Sequence, residues 1–171
     1  MSSITIQPVG FSAAIRERIR QDTQMLRRVA LDVALEGVNV ASKLTRDKGV
    51  GDQGFYLASW GAQAIPEGAV LENTAPYAGI IEHGRRPNRP GPPLAPILGW
   101  VMRKLVRSGE VTEAEAPGVA FLIRRSIHEH GTAPRNILRL TVGRIRPRFQ
   151  RAAVAALRAR SRGPLVARPP R

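Results

Sequence analysis

The sequence has no cysteine, which removes disulfides, thiolate metal sites and cysteine nucleophiles together and suits a chain that matures in a reducing compartment. Lysine is nearly missing too: Lys43, Lys48 and Lys104 are the only ones, so the basic character is carried by arginine, whose planar fork pairs bidentately with phosphates and carboxylates. Acid is scarce, with 13 Asp and Glu against 27 Lys and Arg and a formal net charge of +14. A field of that sign favours polyanions, acidic protein surfaces or anionic membranes, and it says nothing about the fold. Aromatics make up 5% of the chain and, apart from Phe149, do not interleave the arginines, so stacking on bases has little support. No apolar run approaches the roughly 20 residues that cross a bilayer. Residues 1–10 lack the basic-then-apolar layout of a secretory signal, and a soluble protein without a membrane partner is expected.

What is present reads as one α+β domain over residues 1–160, followed by a flexible basic tail, 161–171. Ser2 to Val9 alternates as a short edge strand would. From Phe11 to Lys48, Ile15, Ile19, Leu26, Val29, Val33, Val40 and Leu44 recur three or four residues apart and predict one long helix, with Ser12 as its N-cap and Gly49 and Gly51 as its stop. Such a helix exceeds the usual length in a compact domain, and Gly37 marks a bend or a close contact in its stripe. Residues 53–65 and 69–75, joined by Pro66-Glu67-Gly68, predict a β-hairpin or small antiparallel sheet. A short helix over 77–82 closes at His83-Gly84. Further helices follow: one marked by Leu94, Leu98, Val101 and Leu105, and one led by the capping pair Thr112 and Glu115 and running to His130, with Val119, Leu122, Ile123 and Ile127 as its buried side. A last helical region spans 137–160, which Pro147 is expected to kink or divide. The expected core includes Leu26, Val33, Trp60, Leu71, Tyr77, Ile81, Leu98, Val101, Leu122 and Ile123.

Catalytic chemistry would have to start from His83, His128 and His130, or from Glu82 and Glu129, and these form no recognisable constellation. His128 and His130 are two residues apart, about 200° around a helix, so both cannot reach one ion. The plainer reading is a polar helix end, where histidine suits the macrodipole. No phosphate-cradling glycine loop, nucleophile elbow or paired acids occur, so neither an enzyme nor a cofactor is expected.

Two segments concentrate charge. Residues 85–93 form an exposed loop of arginine, proline, asparagine and glycine containing Arg85, Arg86 and Arg89, and the C-terminal stretch adds Arg135, Arg139, Arg144, Arg146, Arg148, Arg151, Arg158, Arg160 and Arg162, without one acid over 137–160. Arg85, Arg86, Arg89, Arg144, Arg146 and Arg148 are the candidates for contact with a DNA backbone or with another subunit. No helix-turn-helix, zinc module or RNA-binding signature accompanies them, so sequence-specific reading is not expected. A basic accessory protein that binds nucleic acid non-specifically is the alternative function.

Residues 71–84, Leu-Glu-Asn-Thr-Ala-Pro-Tyr-Ala-Gly-Ile-Ile-Glu-His-Gly, resemble the tail-completion or neck proteins of long-tailed bacteriophages. In that family a strand leads through Asn-x-x-x-Tyr-Ala into a short helix ending Glu-x-Gly, as Asn73, Tyr77, Ala78, Glu82 and Gly84 do here. Residues 54–60 look like the family's Gly-x-Leu-x-x-Ser-Trp strand, with Leu57 out of register and no arginine before Ser59. Residues 131–138 are similar to its Pro-Arg-Pro-Phe-Leu turn, with Pro134 and Arg135 kept and Asn136 and Ile137 in place of proline and phenylalanine. The resemblance covers most of residues 11–160 and rests on the order of its motifs. It implies a structural virion protein of the neck or tail, present in the host cytoplasm before assembly. It implies a homo-oligomeric ring, a hexamer, that completes the tail, helps join it to the head, meets other neck and tail proteins, and touches passing DNA non-specifically. Heterologous ring closure requires two different complementary patches on each subunit, and the long helix and the basic loop are the features assigned to them.

Overall fold

The computed structural model describes residues 9–50 and 54–161 and is α+β. Helix α1 (Val9–Asp47) leads to a single helical turn, α2 (Phe55–Ala58), then strands β1 (Trp60–Ile65) and β2 (Gly68–Asn73). Helices α3 (Ala78–His83), α4 (Leu94–Val101), α5 (Ala116–His130) and α6 (Ile137–Ser161) follow. Most of the strand expected near the N-terminus (2–8) and of the flexible tail (162–171) lies outside the described residues. Val9 and Gly10 are helical, so the helical register set by Ile15 and Ile19 runs back past Ser12, which sits inside α1 and does not cap it. Gly49 ends α1 as expected: it has φ 60°, and Val50 N–H reaches back to Thr45 O at 3.0 Å, the wrap of a left-handed C-terminal cap.

The chain divides into two compact units, neither of them contiguous. One takes α1 up to Ala41, the hairpin Trp60–Glu72 and α6 from Thr141. Its core holds Val33, Ala34, Ala41, Trp60 and Thr141. In this unit α1 and α6 run antiparallel: Glu36 pairs with Arg148 at 2.9 Å, and Asp22, fourteen residues earlier along α1, pairs with Arg160 at 2.9 Å. Gly37 is a close contact. A Cβ there would lie 2.9 Å from Leu71 Cδ2 and 3.0 Å from Ile145 Cδ1, so the missing side chain lets α1, β2 and α6 meet. Pro147 does not divide α6, which is continuous from Ile137 to Ser161.

The other unit takes residues 42–59 and 73–140. The expected strand over 53–65 is shortened here by α2. Gly54 enters at φ 77°, Ala58 and Ser59 N–H bond to Gly54 O and Phe55 O at 2.8 and 3.0 Å, and this one turn buries Tyr56. The aromatic run Phe55-Tyr56 looks strand-like in sequence, yet it works as an anchor: Tyr56 is 1% exposed and stacks on Tyr77 at 6.1 Å. A second cluster joins α4 to α5 through Val101, Ala116 and Ala120, with Ile97, Leu98, Leu105, Val119 and Ile123 around them. Between these helices the chain widens into a π-helical turn, Met102–Val106, and Gly109 at φ 78° ends it.

Leu122 corrects the expected core, being 61% exposed. The inward side of α5 is buried Ala116 and Ala120 with half-buried Val119, Ile123 and Ile127, and Leu122 lies about 200° round from Ala120. Two fully buried alanines bring α4 and α5 close, a role that hydrophobic size alone does not reveal. Tyr77 is likewise 38% exposed, with its ring stacked on Tyr56 and tilted against Phe55 at 6.3 Å.

Candidate functional site

Two of the three segments that carry the phage resemblance are bonded to each other in the 42–59/73–140 unit, through residues 81–85 and 132–139. Glu82, buried at the end of α3, accepts Leu138 N–H at 2.8 Å and Arg139 N–H at 2.9 Å, and so caps the first turn of α6 with a carboxylate from another element. This satisfies two helix-terminal donors and puts negative charge at the positive end of the helix dipole. Arg135 N–H bonds to Ile81 O at 2.8 Å and Asn136 N–H to Glu82 O at 3.2 Å, so the Pro134-Arg135 turn is held by backbone. Gly84 N–H closes α3 on Ile80 O at 2.8 Å. Arg85 and Thr132 then exchange both backbone hydrogen bonds at 2.9 Å in an isolated antiparallel bridge.

Asn73 completes the arrangement. Its side-chain amide donates to Tyr56 O at 2.8 Å and its Oδ1 accepts Ala75 N–H at 3.0 Å, turning the chain from β2 toward α3, which Ala78 begins. Asn73, Tyr77, Ala78, Glu82, Gly84 and Arg135 thus all serve as scaffold, while Pro134 is exposed in the turn. Burial, with Glu82 and Tyr77 nearby, pushes the Tyr56 phenol up to about 12.

The basic loop is tied down along α5. Asn88 N–H bonds to His128 O at 2.7 Å, the His128 ring meets Arg89 O at 2.8 Å, and Arg124 Nε–H donates to Pro92 O at 3.0 Å. His128 is therefore a loop anchor, a role beyond the polar helix end read from sequence. His130 turns back to Ser126 O at 3.1 Å, and the two rings do not converge. Among the described residues no group of three His, Asp or Glu is set to hold a metal ion. Arg86 and Arg89 are exposed, whereas Arg85 is half-buried and its Nε has no hydrogen-bond partner among the described residues.

Between this loop and α5 lies a groove of about 340 Å³ lined by Pro90, Gly91, Phe121, Arg124, Arg125 and His128. Phe121, Arg124, Arg125 and His128 follow i, i+3, i+4, i+7 spacing, a signal present in the sequence but hidden by the stronger apolar stripe beside it. Arg125 bonds to Glu129 at 2.7 Å and thereby holds the Glu129 carboxyl below the usual carboxylate range. In the other unit, α6 exposes Arg144, Arg146, Arg151 and Arg158, and Arg148 pairs with Glu36. No described helix is long and apolar enough to cross a membrane. Compared with family models, with curated proteins and with solved structures, the chain shows no match.

Proposed function

We propose that the chain is a structural subunit of a long-tailed phage neck, building a ring that completes the tail and helps join it to the head. The observation that carries this reading is the Glu82 node. Two segments remote in sequence, each of which resembles the same family in its own residues, are bonded together through Glu82, Ile81 and Arg135. A chance likeness in either segment gives no reason for that coupling. The polar groups of the node are spent on backbone, which suits a scaffold that presents surfaces to neighbours. Immunogold labelling of particles from the lysate in which the protein is made tests the reading, together with the native mass of the purified chain. Label at the head–tail junction is expected; label absent from particles would refute it.

A second reading, sequence-independent binding to nucleic acid, is favoured by α6, whose exposed arginines stand on a helix without a single acid. Duplex binding by the free monomer that stays tight at physiological salt would favour it over the neck role.

A further inference from the structure

The groove beside the basic loop combines an aromatic floor with cationic walls. Phe121 is 52% exposed, the Arg125 side chain is 62% exposed, and Arg124 is fixed at the wall by its bond to Pro92 O. Arg86 and Arg89 extend the positive surface on the adjoining loop, and Glu129 is the one carboxylate in α5. An occupant that suits it carries one apolar side chain flanked by carboxylates.

The chain holds one such segment. Residues 110–115, Glu-Val-Thr-Glu-Ala-Glu, gather three of the 13 acids and contain no base. Glu110, Glu113 and Glu115 are exposed, and Val111 is half-exposed between the first two. Glu115 is held in place by the N–H and hydroxyl of Thr112, at 3.0 and 2.6 Å, so the segment is ordered before it meets anything. It leads into the N-terminus of α5, whereas the loop bonds of Asn88 and Arg89 sit at the C-terminal end. Along α5 the rise from Glu115 to Phe121, Arg124 and His128 is about 9, 14 and 20 Å at 1.5 Å per residue, and it is Pro90, Gly91 and α5, and not residues 110–115, that line the groove in the single chain.

We propose that the groove lined by Phe121, Arg124 and Arg125 is the docking site for residues 110–115 of a second copy of this chain. The choice of a second copy rests on the ring reading above. Groove and segment are different patches, one along the middle and C-terminal part of α5 and the other just before its N-terminus, so the contact is heterologous and repeats head to tail. Its charge makes it salt-sensitive, and reversing either partner sets like charges against each other.

Charge exchange in the full chain tests this. In sedimentation velocity at low salt the unaltered chain is expected to self-associate and to dissociate as salt rises. Arg89→Glu with Arg125→Glu, or Glu110→Lys with Glu113→Lys, should each weaken association at least about tenfold, with helical circular dichroism unchanged. Mixing the two variants should restore association, because each reversed groove then meets a reversed segment. A chain that stays monomeric at low salt, single variants that associate like the unaltered chain, or a mixture that fails to recover would each overturn the proposal. None of these results bears on particle labelling, so the neck reading stands or falls separately.

Discussion

Glu82 is one residue on which two elements depend. Its carboxylate is the cap of α6 as well as the end of α3, and replacing it leaves two backbone N–H groups inside the structure without an acceptor. Glu82→Ala is expected to cost about 2 kcal/mol in urea denaturation, and Glu82→Gln about 1 kcal/mol, because the amide keeps one acceptor oxygen and loses the charge at the helix terminus. Tyr56 supplies a second test. Its phenol titrates near 12 in the folded chain against 10.0 when solvated, chiefly through burial. The stability this confers is complete below about pH 10 and is lost as pH rises through about 12, since only the unfolded chain readily gives up the proton. In a Tyr77→Phe variant, where Tyr56 is the sole tyrosine, phenolate absorbance should rise well above pH 10 and coincide with loss of helix. The motif residues were visible in the sequence, but their work was not. That a glutamate ending one helix caps another, more than fifty residues on, follows from long-range packing that no local pattern encodes.

At the scale of elements, the bridge between Arg85 and Thr132 is framed by Gly84 and Gly131, with φ 72° and ψ −171° and −157°. That region is open essentially to glycine alone. A Cβ on Gly131 would also collide with the Arg85 carbonyl, and one on Gly84 with the Thr132 carbonyl. Gly131→Ala is therefore expected to cost about 3 kcal/mol, whereas Gly143→Ala, with open space around its Cβ in mid-helix, should gain about 1 kcal/mol in the same denaturation experiment. Long periodic elements were legible. The helix over α1 with Val33 and Leu44 on its buried side, the Thr112–Glu115 pair ahead of α5 and the stops at Gly49, Gly84, Gly109 and Gly131 follow from local chemistry, whereas Ile15 and Ile19 of the expected stripe are exposed. The misses share a cause. Phe55-Tyr56 has strand propensity but folds as one helical turn because Tyr56 is drawn into a packing site, and Leu122 gives up the core to Ala116 and Ala120 because close helix approach rewards small side chains. In both, tertiary contact overrides a local signal.

For the molecule as a whole, the +14 charge governs encounters more than stability. Any duplex affinity should fall steeply with salt, and replacing Arg144 and Arg146 by glutamine should reduce the slope of log K against log salt by about 2, with no dependence on DNA sequence. A slope that does not change would remove α6 from the contact. The candidate arginines were legible as a composition, but which of them are available was not: Arg148 is paired with Glu36, Arg85 is drawn into the bridge, and the loop around Arg86 and Arg89 is fastened to α5.

The interleaving of the two units bears on how the protein is made. Each needs residues from α6 for completion: one takes the helix from Thr141, and the other needs its first turn for Glu82 to cap. During synthesis, then, α1 is made before β2 and α6, the elements that meet it at Gly37, and neither unit can close until α6 has left the ribosome. Over that interval the nascent chain carries apolar surface that its own partners do not yet cover, which is the kind of surface that aggregates.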